Sequence, residues 1–167
     1  MPRSTESEFE EFAALRYPGL RRTAYLLCGD WHSAEDLVQG ALVKLYARWH
    51  RLRDPRSAAA YARTVIVRAH IDTRRLRSST EVTTPDLPEQ PTVSPDSDRQ
   101  LVLLAALAEL RPQYRAVLVL RYWEDQSVAE TARILGLREG TVRSDSHRAL
   151  AQLRAVLGEA SHDITGA

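Results

Sequence analysis

Apolar residues along this 167-residue chain recur at steps of three and four, the spacing of one face of an α-helix. In EFEEFAALRYPGLRRTAYLLCG, residues 8–29, that spacing predicts a helix interrupted near Pro18 and Gly19. SAEDLVQGALVKLYARWH, residues 33–50, opens on Ser33, a good capping side chain. Glu35 and Asp36 follow in the predicted first turn, where the helix dipole favours acids. Leu37, Ala41, Leu45 and Trp49, at four-residue steps, form the predicted buried stripe. Asp54 and Pro55 mark a turn. In SAAAYARTVIVRAHIDTRRLR, residues 57–77, Tyr61, Val65, Ala69 and Asp72 share one side, and Ile66 and Val67 widen the apolar face. A second block holds RQLVLLAALAEL, PQYRAVLVLRYWE and SVAETARIL, followed by GLREGTVRSDSHRALAQLR, residues 136–154. Pro112 suits a first helical turn, and Ser127 with Glu130 three residues on predicts a capping box. No period-two alternation appears, so the predicted fold class is all-α.

The two blocks flank a strip of different composition, SSTEVTTPDLPEQPTVSPDSD, residues 78–98. Pro85, Pro88, Pro91 and Pro95 recur through it, and Ser and Thr fill much of the rest. It buries too little apolar surface to offset its ordering entropy, so it is predicted as a flexible, extended linker. The predicted organisation is two small helical domains, 1–77 and 99–158, joined by that linker, with a short tail at 159–167. The formal net charge of +1 hides an asymmetry. The first block carries 14 basic and 9 acidic residues, the linker five acids and no Lys or Arg, and the remainder 9 basic and 8 acidic. A basic block tied to an acidic tether is more telling than the total. Cys28 is the only cysteine, which excludes an internal disulfide and fits a reducing compartment. The start of the chain is acidic and has no apolar signal core, and no apolar run is long enough to span a bilayer, so no membrane insertion and a cytoplasmic location are expected. No Cys/His metal spacing, phosphate loop or nucleophile motif is present. Cys28 and His32 could share a helical face, but two ligands do not make a zinc site. An enzyme is therefore not expected, nor a cofactor or metal.

The end of the second block carries the sharpest local pattern. If Gly136 is the turn residue of a helix-turn-helix, Ala132 stands four positions earlier, where close packing demands a small side chain. Leu135 and Leu137 then flank the turn, and Val142, six residues on, locks the second helix to the first. A helix hairpin used only for packing is the other reading of this pattern. The second helix carries an acid, Asp145, near its middle. Advancing about 100° per residue from Val142 returns Ser146, Ala149 and Leu153 to within roughly 40°, the inward stripe. Ser144, His147 and Arg148 fall roughly 120–160° away, and Arg143 at about 100°. Asp145 lies at about 60°, nearer the core edge than the outer face. It is therefore expected to brace the motif, with Arg148 or Arg133 as partner. The rival reading is acceptance of a hydrogen bond from a cytosine amino group.

These residues carry a family resemblance. LAELRPQYRAVLVLRYWEDQSVAETARILGLREGTVRS resembles region 4 of the sigma-70 class, and in particular that of the extracytoplasmic-function (ECF) sigma factors. AEDLVQGALVKLYARW resembles their region 2.1–2.2, and YARTVIVRAHIDTRRLR their regions 2.3–2.4. RRTAYLLCGDWHSAEDLVQ resembles the sigma-E-like subgroup. The resemblance implies an initiation factor that binds core RNA polymerase through its β′ and β subunits and directs transcription from promoter DNA. By that resemblance Asp36, Gln39, Leu42 and Val43 contact the polymerase. Tyr61, Arg68, His70, Arg74, Arg75 and Arg77 serve the −10 element, and Arg138, Thr141, Arg143, Ser144, His147 and Arg148 the −35 element. An anti-sigma factor is an implied partner, the acidic linker is expected to thread the basic cleft of the polymerase, and the protein is expected at the nucleoid. Some positions depart from the family pattern. Gly40 stands where relatives usually have an acid, Arg68 replaces a common Asn, and Arg138 sits where a capping Ser is frequent. Ser146 stands where many members carry Leu. The alternative is a helix-turn-helix regulator acting without sigma activity. That reading leaves the first block unexplained.

Overall fold

The computed structural model describes residues 4–52, 54–79 and 95–165, with side chains except at 77–79, 95–97 and 160–165. Within these residues every regular element is helical, and the chain divides into two compact units, Met1–Ser79 and Thr80–Ala167.

In the first unit, α1 spans Thr5–Cys28. Ser4 caps it by accepting from the Ser7 N–H, and Glu6 and Glu8 occupy its first turn. The interruption expected at Pro18 does not occur, and α1 runs through it. An interior proline costs a helix about 3 kcal/mol. Burial outweighs that cost here: Phe12 lies buried before Pro18, and Leu20, Ala24 and Leu27 after it, and α1 packs on the two helices that follow. Gly29, at φ 75°, then closes α1 with its N–H on the Tyr25 carbonyl. Helix α2 spans Trp31–Arg48, and its cap is Asp30 rather than Ser33. The Asp30 carboxylate accepts the Ser33 N–H at 2.8 Å, which moves the cap three residues earlier than expected and leaves Glu35 and Asp36 beyond the first turn. Hydrogen bonds from Ser33 hold the Asp30 carboxyl below its ordinary pKa. Ala34, Val38, Ala41 and Leu45 are buried, and Trp49 continues them in a short 3-10 turn, Trp49–Arg51. Leu37, expected in that stripe, is only half-buried. Phe9, Phe12, Tyr46 and Trp49 form an aromatic cluster, with the Phe12 and Trp49 ring centroids 5.2 Å apart.

Helix α3 spans Pro55–Ser79, and the Asp54 carboxylate accepts the Ser57 N–H at its start. Its buried face is Ala58, Ala62, Ile66 and His70, with Thr64 and Val67 beside it. The face expected from Tyr61, Val65, Ala69 and Asp72 is half-buried at best, and Asp72 is exposed. Alanines at 58 and 62 let α3 approach its neighbours closely, so packing selects the small-residue face.

In the second unit, α4 spans Pro95–Glu109 and α5 spans Pro112–Leu118. The chain then continues through one π-helical turn, Val119–Trp123, into α6 (Val128–Leu135) and α7 (Glu139–Thr165). Helices α4, α5 and α6 all pack on α7. Two expected boundaries shift. Helices α3 and α4 extend into the segment predicted as linker, to Ser79 and from Pro95, and the rest of that segment, 80–94, lies outside the described residues. Helix α7 also continues through the segment expected as a tail from 159, as far as Thr165.

Candidate nucleic-acid interface

Helices α6 and α7 form a tight bihelical unit. Ser127 caps α6 by accepting the Glu130 N–H at 3.0 Å. Glu130 lies in the first turn of α6. Its carboxylate pairs with Arg133, whose pKa the bond raises. Gly136 ends α6 at φ 65°, with its N–H on the Ala132 carbonyl, a conformation that only glycine adopts without strain. Val117 on α5, Ala132 on α6 and Val142 on α7 meet in one core cluster, and Val128, Leu135 and Leu137 pack around it. The turn therefore fixes the angle of α7, and the cluster fixes its depth.

On α7 the side chains divide as the helical angles predict. Val142, Ser146 and Ala149 are buried and Leu153 is half-buried, and the Ser146 hydroxyl donates to the Val142 carbonyl. Arg138, Arg143, His147 and Arg148 are exposed, and Thr141 and Ser144 are half-buried. Arg138 immediately precedes α7, and its carbonyl accepts the Val142 N–H. The Ser144 hydroxyl donates to the Thr141 carbonyl, and Arg143 stands 3.4 Å from the Glu139 carboxylate. Arg143, His147 and Arg148 across the outward half of α7, with Arg138 just before it, make a surface suited to the phosphates and base edges of duplex DNA.

Asp145 is only 5% exposed. Its carboxylate accepts the side-chain amide of Gln113, on α5, at 2.7 Å. Gln113 thus replaces the partners expected from sequence. Arg133 is engaged by Glu130, and neither Arg133 nor Arg148 pairs with Asp145. Nothing in the local sequence pointed to Gln113, which lies 32 residues upstream.

The first unit carries two further faces. At the end of α3, Arg68, Arg74 and Arg75 are exposed. The Arg77 side chain lies outside those described. Tyr61 is half-buried, with the Arg48 guanidinium 5.5 Å from its ring centroid. His70 departs from expectation: it is 6% exposed and turned into the unit's core, away from solvent. It lies four residues after Ile66, so the packed face of α3 carries it inward. On α2, Asp36, Gln39 and Val43 are exposed and Leu42 is half-buried. His32 stands 3.8 Å from Asp36. Tyr46, 53% exposed, extends this stripe beside Val43 at 70%. Tyr46 is not among the residues singled out from the sequence, although the steps 36, 39, 43 and 46 are those of one helix face. Val43 and Tyr46 thus leave two large apolar side chains exposed on the outward side of α2.

Among the described residues no group of three His, Cys, Asp or Glu side chains could hold a metal ion, and no helix is long and apolar enough to cross a membrane. The Cys28 thiol donates to the Asp30 carbonyl.

The chain is similar to known proteins over both units. Residues 13–80 match the family model described as Sigma-70 region 2, and residues 100–153 match Sigma-70, region 4. The RNA polymerase sigma-E factor of Streptomyces coelicolor is 44% identical over 153 residues, covering 90% of this chain and 86% of that protein. The ECF RNA polymerase sigma factor SigL of Mycobacterium tuberculosis is 35% identical over 159 residues, with 90% and 87% covered. The sigma factor RpoE of Bartonella quintana, solved with the anti-sigma factor NepR, matches with a TM-score of 0.74 at 26% identity, covering 90% of this chain and 96% of that one.

Proposed function

The chain belongs to the extracytoplasmic-function group of the sigma-70 family, and on that premise we propose that it is an alternative sigma factor. It binds core RNA polymerase and directs initiation at promoters through their −10 and −35 elements. The observation that carries this reading is the pairing, in one chain, of a helix-turn-helix unit matched to region 4 with a separate unit matched to region 2. A regulator acting without sigma activity would need only the first and would leave the second without a role.

In this reading α7 enters the major groove of the −35 element. Arg138, Arg143 and Arg148 meet phosphate and base edges, with Thr141, Ser144 and His147 between them. Each phosphate neutralised by an arginine releases counterions, so binding weakens steeply with salt. Arg68, Arg74, Arg75 and Arg77 hold the −10 strand, and Tyr61 stands where an unpaired base would stack. His70, being buried, supports α3 instead. Asp36, Gln39 and Val43, with Leu42 beneath and Tyr46 alongside, meet the β′ and β subunits of the polymerase. Residues 78–98 connect the two DNA-binding units and carry their five acids into the basic cleft of the enzyme. The protein acts without chemistry of its own, in the cytoplasm at the nucleoid, and an anti-sigma factor holds it inactive until it is needed.

The test is run-off transcription with purified core polymerase over a library of promoters. Transcripts starting at one defined distance from a shared pair of elements are the expected result. DNA binding without any dependence of transcription on this protein would overturn the reading.

A further inference from the structure

A carboxylate on a DNA-reading helix is a liability, because the phosphates beside it are negative. Asp145 occupies such a helix and yet is 5% exposed, drawn into the seam between α5 and α7. The Gln113 amide donates to its Oδ2 atom at 2.7 Å, within the range of a strong hydrogen bond to an ionised acceptor. Gln113 is half-buried and sits in the first turn of α5, a helix that also supplies Val117 to the core cluster beneath Val142. One bond therefore ties the second turn of α7 to the helix on which α7 rests.

We propose that Gln113 is a positioning residue for −35 recognition: it clamps Asp145 against α5, which fixes the rotation of α7 about its axis and keeps the carboxylate away from DNA. The inference rests on the sigma-factor reading and deepens it. Gln113 touches no nucleic acid itself. It acts through Asp145 on the outward side chains Arg143, Ser144, His147 and Arg148. Release of the clamp has two effects. The buried carboxylate loses its donor, and since an unpaired buried charge is costly, it turns toward solvent and the phosphates. The outward side chains also lose their common register.

The experiment is a double-mutant cycle on promoter binding by holoenzyme, assembled from core polymerase and the full chain, at a temperature where circular dichroism shows every variant folded. The probe is a duplex promoter selected by transcription with the wild-type protein, together with variants changed one base pair at a time in the −35 element. Gln113→Ala and Asp145→Ala are each expected to weaken binding roughly three- to tenfold, by a similar factor on every duplex. The double variant should lose no more than either single variant, and Asp145→Asn, which keeps an acceptor for the Gln113 amide, should bind within about twofold of wild type. Additive losses, or unchanged binding by Gln113→Ala, would overturn the clamp. So would loss of discrimination at a single C·G pair in Asp145→Ala alone, the mark of direct base reading. A wild-type protein that yields no promoter-dependent transcript would fail at the earlier step, removing the sigma-factor reading and the clamp with it.

Discussion

Gly136 and Gly140 stand four residues apart on either side of the start of α7, and substitution by alanine should move the stability of the second unit in opposite directions. At both sites a Cβ would meet nothing within 4 Å, so steric crowding contributes to neither change. The difference is in the backbone. Gly136 has φ 65°, and an L-residue held there costs roughly 1–2 kcal/mol. Alanine also narrows the unfolded ensemble, which returns about 0.4–1 kcal/mol. Gly136→Ala is therefore expected to destabilise by about 1 kcal/mol, the difference between those two terms. Gly140 lies inside α7 with ordinary helical φ, and replacing a helical glycine by alanine gains up to about 1 kcal/mol, less in a first turn. Residue-resolved hydrogen exchange on the full chain reads the opening free energy of α6 and α7 apart from the first unit. Thermal unfolding should agree, with a midpoint shift of about 4–8 °C per kcal/mol for a unit of this size. If Gly136→Ala matched or exceeded wild type, the left-handed turn would not exist in solution and the assignment of the motif would fall. If both substitutions changed stability with the same sign, the backbone reasoning would be wrong.

Reversing the charge at Asp36 should weaken core polymerase binding by at least about tenfold, or about 1.4 kcal/mol, while helicity stays native; normal affinity for Asp36→Arg in a pull-down titration would remove α2 from the interface. Arg148→Ala should weaken promoter binding and lower the slope of log affinity against log salt by about one, and an unchanged slope would show that Arg148 does not meet a phosphate. Asp30→Ala should cost about 1 kcal/mol at neutral pH through the lost cap of α2. The Asp30 carboxyl titrates below its ordinary value of 3.8 in the folded protein, because Ser33 hydrogen-bonds the charged form. Its contribution is therefore fully present above that ordinary value and is lost as pH falls through the depressed one, so urea titrations of wild type and Asp30→Ala should converge in acid. A gap that persisted there would rule out the carboxylate as the cap.

The motif at the end of the chain was legible because its rules are local. Gly136 provides the left-handed turn, Ala132 the close approach and Val142 the anchor, each at a spacing set by helix geometry alone. The same 100° arithmetic placed Asp145 near the core edge and set Arg143, His147 and Arg148 outward, as the structure has them. A local angle, however, says which way a side chain leaves its helix and not what it meets. Gln113 reaches Asp145 only because α5 lies across α7, a juxtaposition of residues 32 apart that no periodicity encodes. His70 followed the same logic in the other direction: an ionisable side chain among arginines reads as a surface group, and the alanines at 58 and 62 turned its face of α3 inward. Local signals also competed. Asp30 and Ser33 were both eligible to cap α2, and the carboxylate took the role, while Pro18 marked a break that the burial of Leu20, Ala24 and Leu27 overrode. Sequence by itself determined the helical periods, the turn and the angular order of side chains on each helix, because those depend on the backbone within a few residues. Tertiary structure decided which face of α3 is buried, which donor holds Asp145 and whether α1 survives its proline, because those depend on apolar burial and hydrogen bonds between helices distant along the chain.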